Sequence, residues 1–178
     1  MTGWLQHLTP KEYVHSVYHI DLDKLWEDGK RLLLSDLDNT LVGWNHPHVP
    51  EELAVWLLQA KQRGFEICLI SNNRGDRVQE FAEQSGLAAI AAARKPRPDA
   101  FLRAMNQFGR RPEETVMIGD QLFTDIRGGN AVGIHTVLVL PIDRREWWGT
   151  RVVRRLEWFA MRSLVKRGLV IPDQSERR

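Results

Sequence analysis

Short apolar runs alternate with segments of helical period along most of this chain. Arg31-Leu32-Leu33-Leu34-Ser35-Asp36 is an apolar run that ends in a carboxylate. Phe65-Glu66-Ile67-Cys68-Leu69-Ile70-Ser71 follows Gly64, and Ala88-Ala89-Ile90-Ala91 is a weaker third run. Thr115-Val116-Met117-Ile118-Gly119-Asp120 and His135-Thr136-Val137-Leu138-Val139-Leu140 complete the set. Such brief, nearly continuous apolar stretches predict strands buried on both faces. Between them, Pro50-Glu51-Glu52 opens a helix that runs to about Arg63, with proline and acids where the first turn favours them. A second helix is expected from Asp76 to Gln84, closed by Gly86, and a third from Pro98 to Phe108, closed by Gly109. Thr124 is placed to cap a short fourth that ends near Gly128-Gly129. This alternation predicts one α/β domain: a doubly wound, Rossmann-like parallel sheet of about five strands flanked by helices. The catalytic core is expected over 31–143, with residues 1–30 as an extension packed on it through Tyr13, Val14, Val17, Tyr18 and Ile20. Residues 144–170 read as a basic, Trp-containing C-terminal helix, and 171–178 as a flexible tail.

Open parallel sheets bind their ligands outside the carboxyl ends of the strands. The polar residues of this chain gather there. Asp36 ends the first run, with Asp38 two residues on; Ser71 ends the second, followed by Asn72, Asn73 and Arg74. Asp120 ends the fourth, with Asp125 five residues later, and Lys95 lies in the loop after the third. Four carboxylates at one edge repel unless a cation sits among them, and hard oxygen donors without His or Cys favour Mg²⁺. His46 and His48 flank Pro47 near this edge, but a magnesium site gives them no role. Metal and Lys95 together suit a transferring phosphoryl group, and Ser71 can hydrogen-bond its oxygens. A carboxylate nucleophile that forms an acyl phosphate is one solution to that chemistry. Asp38 is then placed to protonate the leaving oxygen and later to deprotonate water.

The run Ser35-Asp36-Leu37-Asp38-Asn39-Thr40-Leu41-Val42 resembles the first motif of the haloacid dehalogenase superfamily. Ser71, Lys95, and Gly119-Asp120 with Asp125 match its second, third and fourth motifs, in order. A finer resemblance, over roughly residues 10 to 145, is to the YqeG-like group of subclass IIIA phosphatases. It rests also on Ser71-Asn72-Asn73, Ala93-Arg94-Lys95-Pro96, and Gly119-Asp120-Gln121-Leu122-Phe123-Thr124-Asp125 with Gly128-Gly129-Asn130. The resemblance implies Asp36 as nucleophile and Asp38 as acid/base. It implies metal ligation by the Asp36 carboxylate, the Asp38 carbonyl and Asp120, with Asp125 in support. Thr40, Ser71, Asn72 and Lys95 are assigned to substrate binding. Some members of the wider group resemble phosphatidylglycerophosphate phosphatases, which makes a lipid head group a candidate substrate. About thirty residues separate Asp38 from Ser71 and about twenty separate Ser71 from Lys95, each interval filled by one helix. No cap domain is therefore expected, and an open site suits large substrates. Three rivals share these residues: a small-metabolite phosphatase lidded by a neighbouring subunit, phosphotransfer to an acceptor other than water, and a non-catalytic interaction module that kept the fold.

Charge changes the picture at one place. The net charge is only +2, yet Arg144, Arg145, Arg151, Arg154, Arg155, Arg162, Lys166 and Arg167 face only Glu146 and Glu157 in the C-terminal stretch. Trp147, Trp148, Val152, Val153, Leu156, Phe159, Ala160 and Leu164 recur there at near-helical spacing. The preferred reading packs this apolar stripe on the core; the rival lays it on an anionic membrane. Nucleic acid is disfavoured, because no recognition fold accompanies the charge. Cys68 is the only cysteine and sits in an apolar run, so it reads as a buried structural thiol. With no signal-like N-terminus and a lone cysteine, the expected location is the cytoplasm, with peripheral membrane contact under the rival reading.

Overall fold

A computed structural model describes residues 3–44, 46, 48–73, 76–143 and 150–172, of which 3, 4, 150–155 and 157 are described by their backbone alone. Arg74, Arg144, Arg145, Trp147, Trp148 and the tail from residue 173 lie outside the described residues. In chain order the strands are β1 (Glu12–Val14), β2 (Leu32–Ser35), β3 (Glu66–Ile70), β4 (Ala88–Ile90), β5 (Thr115–Gly119) and β6 (His135–Val139). The helices are α1 (Gly3–Gln6), α2 (Leu22–Glu27), α3 (Glu51–Gln62), α4 (Asp76–Ser85), α5 (Asp99–Phe108), α6 (Arg127–Ala131) and α7 (Thr150–Val165).

All strands join one parallel sheet in the order β1-β6-β5-β2-β3-β4. The winding reverses at β2, which pairs with β3 on one side and β5 on the other. The continuous apolar runs are explained by two covered faces. Leu33 packs with Leu69, Val116 and Ile118 beneath Trp56, Leu57, Val78 and Phe81 of α3 and α4. Leu32 and Leu34 point the other way, with Cys68, Ile70 and Met117, against Ala100, Phe101, Ala104 and Met105 of α5. Burial of each such Leu stabilises by about 1.5–3 kcal/mol.

The parallel sheet expected with about five strands has six: β1, from the segment expected to pack on the core, adds to the β6 edge. Its three residues are only half-buried, so it carries no apolar run. One expectation needs correction, at the fourth helical segment. Thr124 does not cap it: a single π-helical turn, Leu122–Ile126, runs straight into α6. Gly128 and Gly129 lie inside α6, and not at its end. A Cβ at either position would strike Phe101 or Thr136, so the glycines let this helix press onto the sheet.

The C-terminal helix divides its apolar stripe. Ala160 and Leu164 are buried with Leu5, Leu8, Leu122, Ile126 and Leu138. Leu156 and Phe159, counted in the same stripe from sequence, are exposed. No helix among the described residues is long and apolar enough to cross a membrane.

Candidate active site

β2 delivers Asp36 at its carboxyl end, where the Asp36 N–H still donates to the Ile118 carbonyl at 2.9 Å and continues the ladder. The chain then turns sharply. Asn39 takes a left-handed conformation at φ 65°, and its N–H donates to the Val42 carbonyl at 2.7 Å. Its side-chain oxygen accepts from the Asp143 N–H at 3.2 Å. Asn39 therefore ties the loop after β2 to the loop after β6. Sequence reading carried it only as part of a motif; its αL role shows only in the backbone.

Lys95 stands between two carboxylates, with Nζ 2.7 Å from Asp36 Oδ1 and 2.7 Å from Asp125 Oδ1. Asp125 thus has Lys95 as the charged partner of its Oδ1. Its Oδ2 accepts from the Gln121 N–H at 3.1 Å, so Asp125 both ties the start of the π turn and faces the site. Gly119 makes this possible: a Cβ there would collide with the Asp125 carboxylate. Asp120 is buried too, and the Thr40 hydroxyl donates to its Oδ1 at 3.4 Å.

The carboxylate oxygens of Asp36, Asp120 and Asp125 lie within 4.8 Å of one another. Burial pushes the Asp36 carboxyl up to about 7; Lys95 opposes this, and Asp125 and Asp120 add to it. Burial works against the Lys95 charge, but Asp125 and Asp36 outweigh it and hold the ammonium above its ordinary range. Three buried acids thus face one lysine, which balances at most one of them when all are ionised. An all-oxygen, cation-deficient cluster of this kind fits a hard divalent ion. Among the described residues no histidine joins it. Cys68 is remote from this chemistry, with its thiol pushed up to about 12 by burial.

Ser71 is buried at the end of β3, and its Oγ accepts from the Asn73 N–H at 3.1 Å. Asn72, expected from sequence to bind substrate, clamps Lys95 in this structure. Its Oδ1 accepts from the Lys95 N–H at 2.6 Å, and its Nδ2 donates to the Lys95 carbonyl at 3.0 Å. It is a positioning residue for the lysine. Asp38 is more exposed than Asp36 and is paired with Arg77 of α4. Arg77 also reaches the carbonyls of Gly43 and His46, at 3.4 and 3.3 Å. Sequence reading missed Arg77, which looks like any arginine in the first turn of a surface helix.

A HAD-hydrolase-like family model matches residues 92–141, the stretch that carries Lys95, Asp120 and Asp125. The chain is 39% identical over 159 residues to the probable phosphatase YqeG of Bacillus subtilis, covering 89% of this chain and 92% of that protein. It is 29% identical to phosphatidylglycerophosphate phosphatase 1 of Arabidopsis thaliana, covering 96% of this chain but only 52% of that protein. The fold matches the cobalt-bound deoxy-D-mannose-octulosonate 8-phosphate phosphatase of Haemophilus influenzae, with a TM-score of 0.53, 14% identity and coverage of 66% and 81% of the two chains.

Proposed function

The chain belongs to the haloacid-dehalogenase-like phosphatases, in the group of YqeG, and from that membership we propose that it hydrolyses phosphomonoesters through a phosphoaspartate on Asp36, with Mg²⁺. The reading is carried by the buried cluster of Asp36, Asp120 and Asp125 around Lys95, at the point where the sheet reverses its winding. Asp36, Asp120 and Asp125, with the Asp38 carbonyl, would hold the metal. When bound, Mg²⁺ supplies charge neutralisation and orientation for the phosphoryl group.

The residues divide the chemistry between them. An Asp36 carboxylate oxygen attacks phosphorus, and the bond to the substrate oxygen breaks. Asp38 gives its proton to that leaving oxygen, so an alcohol departs. Asp38, now ionised, takes a proton from water, whose oxygen attacks phosphorus and releases inorganic phosphate with Asp36 restored. Lys95 holds Asp36 in one orientation and offsets phosphoryl charge from within the protein. The Ser71 hydroxyl proton, unused in its bond from Asn73, serves a phosphoryl oxygen. Thr40 keeps Asp120 in place.

Asp36→Asn should lower turnover of an aryl phosphate in Mg²⁺ by about 10⁶-fold, as for another lost nucleophile. Undiminished turnover would refute the assignment. For the substrate we propose a phosphomonoester on a large carrier. The stretches from Asp38 to Ser71 and from Ser71 to Lys95 hold one helix each, with no cap domain among the described residues. Phosphatidylglycerophosphate is the first to test, given the named activity of the Arabidopsis relative. A panel with sugar phosphates, nucleotides and phosphopeptides decides it: best kcat/KM on a small metabolite would reject the large-carrier reading.

A further inference from the structure

The C-terminal helix buries one face and leaves an unusual one outside. Leu156, Trp158 and Phe159 are 56%, 53% and 61% exposed, although Ala160 and Leu164 of the same helix are 3% exposed. Trp158 and Phe159 meet edge to face at 5.0 Å, and the Arg162 guanidinium lies 4.6 Å over the Trp158 ring. The apolar exposure continues just past the helix, at Val170 and Ile171. From Thr150 to Pro172 the bases are Arg151, Arg154, Arg155, Arg162, Lys166 and Arg167, against the single acid Glu157.

This surface lies beside the site. A cavity of about 210 Å³ is lined by Tyr13, Asp120, Leu122, Pro141, Trp158 and Met161, so it runs from a metal-site carboxylate to the helix. Two further apolar side chains are exposed on the loops that Asn39 ties together. Ile142, 50% exposed, donates its N–H to the Asn39 carbonyl at 3.1 Å, and Trp44, 47% exposed, donates its N–H to Asp143 at 3.1 Å. Water gives exposed Leu, Phe, Trp and Ile no stabilisation, and clustered apolar surface marks an interaction site. Aliphatic tips among arginines suit an interface that is hydrocarbon within and anionic at its rim. Nucleic acid would satisfy the arginines and stack on the tryptophan, but would leave Leu156, Val170 and Ile171 in water.

We propose that the outward face of α7, with Trp44 and Ile142 on the loops beside Asn39, docks on a bilayer of anionic phospholipid and holds the active-site edge against it. The inference rests on the reading above only in naming that edge the active site. Its chemistry and its docking are measured separately.

The full chain is mixed with vesicles of phosphatidylcholine, with or without about one-third phosphatidylglycerol, and sedimented at low and high salt. Binding is expected only with phosphatidylglycerol and is expected to weaken as salt rises. Two double variants probe the two parts of the face, Leu156→Ser with Phe159→Ser and Arg162→Glu with Lys166→Glu. Each should lower vesicle affinity by about tenfold or more while melting and turnover of a water-soluble aryl phosphate stay as in the wild type. Asp36→Asn should bind vesicles normally while losing turnover, which separates failure of docking from failure of the catalytic reading. Several results would overturn the proposal: no binding at low salt, equal binding to both vesicles, or full binding by either double variant. Variants that change only the solution mass would assign the face to a second copy, and loss of RNA binding without vesicle binding would assign it to nucleic acid.

Discussion

Lys95 is the cation that Asp36 and Asp125 both touch, at 2.7 Å each. Removing it leaves neighbouring carboxylates buried with nothing to balance them. Breaking a buried pair on one side costs about 3–5 kcal/mol, so Lys95→Met should melt roughly 6–20 °C lower in EDTA, at about 2–4 °C per kcal/mol for this size. Calorimetry with added Mg²⁺ should recover part of the loss; a variant as stable as the wild type in EDTA would show that the lysine charge is not needed. Asp36 gives a second, signed expectation. Its carboxyl is raised to about 7 in the fold, above about 4 in an unfolded chain. A group raised in this way stabilises fully below its unfolded value, and that stability is lost as pH rises through its folded value. Between about pH 4 and 7 the metal-free protein should therefore lose stability relative to Asp36→Asn, which cannot ionise. The gap in melting temperature between variant and wild type should open across that window in EDTA and narrow when Mg²⁺ favours the ionised acid. A gap constant with pH would mean that Asp36 titrates as an ordinary surface acid.

At the scale of single elements, legibility followed burial. β2, β3, β5 and β6 are apolar on both faces, because helices cover both sides of the sheet, and their runs show plainly in the chain. Their carboxyl ends could be read for the same reason, since a polar residue that closes such a run marks where the strand leaves the core. β1 has three half-buried residues and no such run. The π turn at Leu122–Ile126 was hidden because its extra residue per turn is a backbone property, seen where the Ile126 N–H reaches the Gln121 carbonyl and Asp125 turns inward. The roles of Asn72 and Arg77 depend on where Lys95 and Asp38 sit after folding, and local spacing carries no trace of that. Gly119 is the element-scale test. Its missing side chain gives the Asp125 carboxylate room against β5. Gly119→Ala should displace Asp125 and raise the Mg²⁺ concentration for half-maximal activity by about tenfold, as for outer-shell changes at metal sites. Unchanged Mg²⁺ dependence would show that Asp125 contributes nothing to holding the ion.

For the whole molecule, the sheet order makes one edge a concern. β6 carries Leu138 into the cluster with Leu5, Leu8, Ala160 and Leu164, and β1 covers its outer edge. The Lys11 N–H donates to the Thr136 carbonyl at 2.9 Å, and the Leu140 N–H to the His15 carbonyl at 3.3 Å. Residues 3–15 thus close the sheet on the side where α7 packs. Deleting them would uncover a parallel edge whose unpaired N–H and C=O groups are a template for another chain. It would also remove Leu5 and Leu8, worth together about 3–6 kcal/mol of burial. A chain starting at Ser16 should melt about 6–24 °C lower and gain mass in light scattering, as β6 edges pair. The site itself hangs from β2, β3 and β5, none of whose four pairings involves β1, so residual aryl phosphate turnover in the monomer fraction should keep its wild-type KM. A truncated chain that melts normally and stays monomeric would mean that β1 is an appendage after all, and that α7 alone seals that flank.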